Sequence, residues 1–457
     1  MSDYIDIAAM VDSSEARRFL DANPDIAAVQ IFATDPSGVA RGKSIARDEL
    51  LSFFTSGRRV AASLLGLDML GEDVDETGLV WDIGDADQLA LPVAGSLQRC
   101  SWLRRPTGQV MLTLHDTNGR PFAADPRHVL ARVIKEFDGL DLVPVLACEL
   151  EFYLVRRSPS GRVRCLTSSG QVSIDSYDLR QIDEYAVVFD AIHDAAREQG
   201  IQLGTLMSEY APGQFEITLP HRADALRAVD EAVLFKRLVK GVASRHGLTA
   251  TFMAKPFAQF AGNGLHIHVS VRDRSGTNAF ASDDPQGNAL LRSAIAGMQQ
   301  HMAESMLAFA PNANSYRRFR RKSYAPVAPT WGVNNRSVGL RIPAGSAESR
   351  HIEHRISGAD ANLYLAVAAT LAAALQGMRH GAVPDKPVSG NGYLAAETAP
   401  LPLYWQAAID SASRSAFLKQ AFGADFMKIW LAIKVSEYAK FNAEVTAQDH
   451  AWYLERC

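Results

Sequence analysis

Cysteine is scarce in this sequence, and the four present (Cys100, Cys148, Cys165 and Cys457) lie far apart. They form no C-x-x-C pair, so the spacing encodes neither a disulfide framework nor a thiolate zinc centre. Reduced thiols in a cytosolic protein are expected. No apolar run reaches the roughly 18 residues that a membrane span needs. The longest candidate, Y-L-A-V-A-A-T-L-A-A-A-L at 364–375, reads as a buried Ala-rich helix. An excess of basic charge is also missing. The net charge of −4 argues against a general nucleic-acid binder and against electrostatic docking to a membrane. The opening M-S-D-Y-I-D-I lacks the basic-then-apolar pattern of a signal peptide. A cytoplasmic location is expected. No repeat of fixed period is visible. What remains is an ordinary globular balance, 47% hydrophobic and 21% charged, over a chain of 457 residues with core enough for more than one domain.

Residues 27–45 predict a hairpin, with A-A-V-Q-I-F-A going out, D-P-S-G turning and V-A-R-G-K-S-I-A returning. A short helix follows at 48–54, and strand-like pieces continue to G-Q-V-M-L-T-L-H-D at 108–116. The run G-V-A-R-G-K-S at 38–44 resembles a phosphate-binding loop but has three residues between its glycines where four are required. It also falls on the return strand of the hairpin. A first, strand-rich α+β unit is expected over residues 1–112. Asp125 caps a helix with Pro126 at its first position, and Val129, Leu130, Val133, Ile134 and Phe137 recur at helical spacing. From there strands and long helices mix to the end, as a larger second unit over 113–457.

The chemistry gathers in that second unit. C-E-L-E-F-Y-L at 148–154, after the apolar L-V-P-V-L-A, is a buried strand that carries Glu149 and Glu151 on one face, about 7 Å apart. Like charges so close in a low-dielectric setting repel, and each resists desolvation. In S-E-Y-A-P-G-Q-F-E-I-T-L, Glu209 and Glu216 flank a Pro-Gly turn; in G-N-G-L-H-I-H-V-S, His266 and His268 share a strand face; in R-H-I-E-H-R, His351, Glu353 and Arg355 do the same. Each has a bland reading alone, as a solvated strand face or a core histidine. Together, five carboxylates and a histidine in apolar strands supply the hard ligands that suit Mg²⁺ or Mn²⁺. A divalent metal is then the missing partner of Glu149 and Glu151. The basic run S-Y-R-R-F-R-R-K-S-Y at 315–324 admits a solvated face or a nucleic-acid patch. Arg318, Arg336, Arg341 and Arg355, however, recur through the stretch that holds Glu353. Metals with several arginine forks imply small polyanionic substrates, and so metal-dependent phosphoryl transfer to a carboxylate.

The ordered motifs E-L-E-F-Y-L, G-Q-F-E-I, F-M-A-K-P, G-L-H-I-H-V-S, N-S-Y-R-R-F, N-N-R-S-V-G-L-R-I-P, R-H-I-E-H-R and A-D-A-N-L-Y-L resemble those of the glutamine synthetase family over most of the chain. The resemblance implies an α+β protein: an N-terminal β-grasp domain and a large catalytic domain with a curved antiparallel sheet. It also implies a homo-oligomeric ring, a dodecamer, with each active site between neighbouring subunits. ATP would be the co-substrate, with two or more Mg²⁺ or Mn²⁺ ions per site. By the same resemblance, Glu151, Glu209 and Glu216 would hold one metal, and Glu149, His266 and Glu353 a second. His268, Ser270, Arg341 and Glu353 would serve the nucleotide. Gly262, Arg318 and Arg355 would bind glutamate, and Arg336 with Arg341 would stabilise phosphate charge.

Its departures from the family concern the attacking nitrogen. Ammonia-using members carry an Asp in F-D-G-S-S and a Glu in G-Y-E-A-P. Here G-R-R-V-A-A-S-L-L-G places Ala61 at the first position and K-S-Y-A-P places Tyr324 at the second. A pocket for a small cation has become neutral and more apolar, which disfavours ammonium and leaves room for a carbon substituent. The pattern is closest to the γ-glutamylpolyamine (γ-glutamylputrescine) synthetase branch and to relatives acting on alkylamines. The expected reaction is ATP-dependent ligation of glutamate to a small primary amine, in amine catabolism or nitrogen assimilation. The alternatives are a glutamine synthetase using ammonia and a non-catalytic sensor. Tyr324 and Asp68 are candidate proton acceptors. Two further departures are Ala261 in the substrate loop A-G-N-G, and His351 where an arginine usually meets the nucleotide.

Overall fold

Alternation along the first strands builds the expected hairpin in the computed structural model, which describes residues 13–166, 174, 176–320, 322–394 and 401–457. Strands β1 (Ala28–Thr34) and β2 (Ala40–Ala46) pair antiparallel. Asp35 fixes the turn between them, its Oδ1 accepting from the backbone N–H groups of Ser37 and Val39 at 2.9 and 2.8 Å. Gly38 there takes a φ of +82°, a left-handed conformation that glycine adopts without steric cost. Gly42, Lys43 and Ser44 are ladder residues inside β2, a geometry that cannot cradle a phosphate. The opening heptapeptide lies outside the described residues.

Strands β3 (Arg58–Ala61), β4 (Asp87–Pro92), β5 (Gln98–Arg99) and β6 (Thr107–His115) complete a six-stranded sheet in the order β2-β1-β6-β4-β3, with β5 on β6. The β1–β6 pair is parallel. Val29, Ile31, Val110, Leu112 and Leu114 share a core with Phe53 and Phe54 of the helix Leu50–Ser56. Position 112, the expected division between units, falls inside β6. Ile429 and Ile433, from the helix Ala424–Ala443, also enter this core and tie the end of the chain to its first sheet.

Beyond β6, Asp125 accepts a hydrogen bond from the Arg127 N–H at 2.9 Å and opens the helix Pro126–Lys135, as its Asp-Pro signature predicts. The second sheet comprises β7 (Val143–Arg157), β8 (Val163–Cys165), β9 (Leu206–Ser208), β10 (Gln214–Thr218), β11 (Thr249–Thr251), β12 (Leu265–Arg272), β13 (Trp331–Val333), β14 (Leu340–Ile342) and β15 (Ile352–His354). Its order is β13-β14-β15-β12-β7-β10-β9, with β8 and β11 both pairing β7. Apart from the parallel β13–β14 pair, the pairings are antiparallel.

One face of this curled sheet is apolar. Leu150, Phe152, Phe215, Ile217, Ile267 and Ile352 join one core cluster with the helices Ala225–Arg245 and Leu363–His380. Each fully buried side chain of this size contributes about 1.5–3 kcal/mol. That sum anchors strands whose other face is charged. The helix Leu363–His380 contains the Ala-rich run noted above, and fifteen of its residues are buried. Among the described residues no helix is long and apolar enough to cross a membrane.

This helix crosses the helix Ala289–His301 at almost backbone contact. A Cβ added at Gly377 would sit 2.0 Å from the Ser293 carbonyl oxygen, and one at Gly297 would sit 2.1 Å from that of Ala373. Gly377→Ala gains about 1 kcal/mol of helix propensity but faces an overpacking cost of about 1–3 kcal/mol against rigid backbone. A lowered thermal midpoint is therefore expected; an unchanged or raised one would show that the two helices do not meet here.

Candidate active site

Strand parity alone puts Glu149 and Glu151 on one face of β7, and register decides what stands beside them. Glu151 faces Glu216 on β10, and Glu149 faces His266 on β12. His268 faces Glu353 on β15, which in turn faces Arg341 on β14. Directly opposed residues have Cβ atoms about 4.5–5.5 Å apart. The result is a ladder of carboxylates, imidazoles and a guanidinium across five strands. Two carboxylate-bearing sets offer ligand atoms within 4.8 Å of one another: Glu149 with His266 and Glu353, and Glu151 with Glu216 and His266. The first set coincides with the expected second metal site. In the other, His266 stands where Glu209 was expected. Glu209 lies across the Pro-Gly turn, its N–H donating to the Gln214 carbonyl at 2.8 Å. Among the described residues it joins no ligand group, although its charge acts on Glu151.

The acids divide into two electrostatic classes. Burial pushes the Glu149 carboxyl up, but His266 Nδ1 at 3.2 Å and His268 Nε2 at 3.0 Å outweigh it and hold the group below the usual range. Burial likewise opposes ionisation of Glu353, yet Arg355, His266, His268 and Arg341 hold it at about 2. Arg341 Nη1 donates to its carboxylate at 2.7 Å, and Arg355 Nη1 donates to the other oxygen. Glu151 is different. Burial and the Glu209 charge push it up to about 8, although the Gly264 N–H donates to it at 2.7 Å. Glu216 is raised well above the usual range, by burial first and then by Glu149, Glu151, Glu209 and Glu353. Oxygen ligands in this surplus, with one imidazole, fit Mg²⁺ or Mn²⁺ better than softer ions.

Anion-binding groups stand beside the acids. Arg318 and Arg355 are buried, and Arg318 Nη2 donates to the Ile356 carbonyl. The Nε–H groups of Arg318, Arg341 and Arg355 are buried without a hydrogen-bond partner. An unmet buried donor costs about 1–3 kcal/mol, so three of them in one region point to an anionic ligand that supplies the acceptors. Arg336 is exposed, and its charge favours ionisation of Glu209. Ser270 is buried on β12, on the face that carries His268.

The loop that precedes β12 is pinned from several sides. Tyr153 Oη donates to the Ala261 carbonyl at 2.7 Å, and Gln214 Nε2 donates to the Gly262 carbonyl and to Asn263 Oδ1, each at 3.0 Å. A Cβ on Gly262 would lie 2.6 Å from both the Ala254 carbonyl oxygen and Arg318 Cγ, so only glycine fits between them. Gln214 and Asn263 are positioning residues that sequence reasoning did not single out, although both lie within quoted motifs. His221 was missed for a different reason. It follows β10 in a loop and has no periodic neighbour to mark it.

The remaining expected residues lie elsewhere. Tyr324 is exposed with a φ of +57°, a conformation that costs a non-glycine residue about 1–3 kcal/mol. Ser323 Oγ donates to the Arg320 carbonyl at 2.6 Å and Tyr393 Oη to the Ala325 carbonyl at 3.2 Å, holding the segment on both sides. Ala61 stands at the end of β3, on the first sheet and not on the carboxylate-bearing one. It borders a cavity of about 220 Å³ that Val60, Leu64 and Leu112 also line. Asp68 is a weak proton acceptor. Burial raises its carboxyl, but Lys440 Nζ at 2.5 Å and the Glu72 and Leu70 N–H groups, each at 2.9 Å, hold it below the usual range.

Residues 123–453 match the family model described as glutamine synthetase, catalytic domain. The chain is 36% identical over 449 residues to the γ-glutamylputrescine synthetase PuuA of Escherichia coli K12, covering 97% of this chain and 95% of that protein. It is 30% identical over 456 residues to a glutamate–isopropylamine ligase of a Pseudomonas species, covering 96% and 97%. A solved GmaS/ADP complex superposes with a TM-score of 0.85 at 29% identity, covering 98% of this chain and all of that one.

The Glu151 shift has a measurable consequence. With a folded value of about 8 against an ordinary 4.5, the metal-free native state holds a proton that the unfolded chain has lost. That stabilisation is complete below the ordinary value and disappears as pH rises through the folded one. Metal-free protein should therefore lose thermal stability between about pH 5 and 8 through this group. Added Mg²⁺ should raise the midpoint more at pH 8 than at pH 6, because binding expels the proton. A Mg²⁺ effect independent of pH would count against the assignment.

Proposed function

The chain belongs to the glutamine synthetase family, and on that premise we propose that it is an ATP-dependent ligase joining the γ-carboxylate of glutamate to a primary amine. The carrying observation is a contrast. The charged apparatus for phosphoryl transfer is present, with carboxylates, His266 and buried arginines that have donors to spare. The two positions that hold acids in ammonia-using members carry Ala61 and Tyr324 instead. The names of the two curated relatives, a putrescine and an isopropylamine enzyme, support the same class of nucleophile.

In this reading Glu149, His266 and Glu353 hold a divalent metal on the nucleotide side, and Glu151 and Glu216, with Glu209, hold another on the glutamate side. Divalent ions there would neutralise the carboxylates and offset charge on the phosphate oxygens. Arg318, Arg355 and Gly262 bind the glutamate carboxylates. His268, Ser270 and Arg341 face ATP, and Arg336 with Arg341 lowers the energy of the charge that develops as the γ-phosphoryl group passes to glutamate. The amine then attacks the γ-glutamyl phosphate and phosphate departs. An alkylamine titrates near 10.4, roughly the lysine reference, so its reactive neutral form is scarce at pH 7. Tyr324 is the candidate acceptor for the departing proton.

The same reading includes a β-grasp unit over residues 1–112, supported by the parallel β1–β6 pair and the helix Leu50–Ser56 packed on that sheet. The catalytic unit occupies 113–457. The protein works as a cytoplasmic homo-oligomeric ring, a dodecamer, in which Ala61 borders the amine pocket of a neighbouring subunit. The place of Ala61 on the first sheet supports that arrangement.

ADP release with glutamate and Mg²⁺ should be faster with putrescine or an alkylamine than with ammonia. Ammonia as the preferred substrate would overturn the proposal, and no ADP with any amine would favour a sensor. Tyr324→Glu should raise ammonia use relative to amines by about tenfold, the effect of about 1.4 kcal/mol from one restored charge contact. An unchanged ratio would exclude Tyr324 from the nitrogen pocket.

A further inference from the structure

Three histidines from separate parts of the chain converge beside the carboxylate ladder. His268 is on β12, His351 immediately precedes β15, and His221 follows β10. The loop that carries His221 is drawn back over β7 by paired backbone hydrogen bonds between Leu146 and Arg222 at 2.8 and 2.9 Å. The ring centroids are 5.1, 5.2 and 5.6 Å apart, and one nitrogen from each ring lies within 4.8 Å of the other two.

The bland reading is a cluster of mutually satisfied rings, and with all three rings neutral the donors and acceptors do not permit it. His351 Nδ1 is 2.7 Å from the Ser349 carbonyl. A carbonyl only accepts, so Nδ1 carries the hydrogen and Nε2 of the neutral ring presents a lone pair. His268 Nε2 is 3.0 Å from Glu149 Oε1. An ionised carboxylate also only accepts, so a hydrogen on Nε2, which makes no aligned hydrogen bond, leaves a lone pair on Nδ1. Those two bare nitrogens, His268 Nδ1 and His351 Nε2, face each other at 3.0 Å. The other tautomer of His268 turns its lone pair on Glu149 instead. A second proton on His268 removes the conflict, and so does a metal cation between the rings.

We propose that His221, His268 and His351 form a site for a divalent transition metal such as Zn²⁺, Co²⁺ or Ni²⁺, separate from the carboxylate sites. Metal–nitrogen bonds of about 2.0–2.1 Å in a tetrahedron place ligand nitrogens about 3.3 Å apart, close to the 3.0 Å between His268 Nδ1 and His351 Nε2. Metal-binding histidines characteristically donate the other ring N–H to a carboxylate or backbone carbonyl. Glu149 and the Ser349 carbonyl are those acceptors. Three imidazoles select the softer first-row ions over Mg²⁺. His221 is exposed, which leaves the fourth position open to water or an anion. A bound ion also holds the His268 N–H against Glu149, so occupancy here is coupled to the adjacent carboxylate set.

The test is Co²⁺ titration of the full-length protein in excess Mg²⁺, which fills the carboxylate sites. One equivalent per chain should develop the intense visible absorption of a four-coordinate site, and Zn²⁺ should displace it. His221→Phe and His351→Gln should each weaken Co²⁺ binding by about 100-fold, at or above the upper end of what losing even an orienting partner costs. Glu216→Gln should leave the absorption in place. X-ray absorption of Zn²⁺-loaded wild-type protein, which needs no variant to fold, should count three imidazoles. Only the weak spectrum of six-coordinate Co²⁺, an intense band that survives both histidine substitutions, or fewer than three imidazoles would overturn the proposal.

Discussion

Glu151 and Glu216 stand directly opposite one another on neighbouring strands, largely out of water and without an ion pair among the described residues. Like charges in that position repel and resist desolvation, so the arrangement persists only because the other face of the same strands is held so firmly. Leu150, Phe152, Phe215 and Ile217 alternate with the acids and are fully buried in the main core. Apolar burial holds the strands in register, and register in turn holds the charges together. A divalent cation set between the two carboxylates would relieve this enforced repulsion.

The same sheet grades the site from one end to the other. Toward β14 and β15, Arg341 and Arg355 neutralise Glu353, and two histidines lie against Glu149 at 3.2 and 3.0 Å. Toward β10 the acids lack such partners and their protons are held tightly. A cation therefore has most to offer at the β7–β10 side, while the arginine side has donors left for an anion. Metal and phosphate can thus be drawn to adjacent ends of one sheet by the order of its strands.

In the proposed reading, the residues that select the nitrogen lie away from this apparatus, on segments that the sheet does not constrain. Tyr324 is in a strained, exposed segment, and Ala61 is on the first sheet. Substitutions at Ala61 and Tyr324 would leave the carboxylate ladder undisturbed, because among the described residues they share no strand and no hydrogen bond with it. A family can change its amine while keeping its phosphoryl chemistry.

Periodicity and turn chemistry in the sequence determined the hairpin about D-P-S-G, the helix that Asp125 caps, and the shared face of Glu149 and Glu151, since each depends on residues a few positions apart. The glutamine synthetase motifs determined the family and named the candidate acids. Only the tertiary structure decided the partners: that His266 belongs to both carboxylate ligand groups, that Glu209 acts on Glu151 and Glu216 from across the turn, that Asp68 is neutralised by Lys440, and that His221 meets His268 and His351. The reason is physical. Alternation specifies a face, but the neighbour on that face comes from strand register and loop closure between residues up to hundreds of positions apart, which no local pattern encodes.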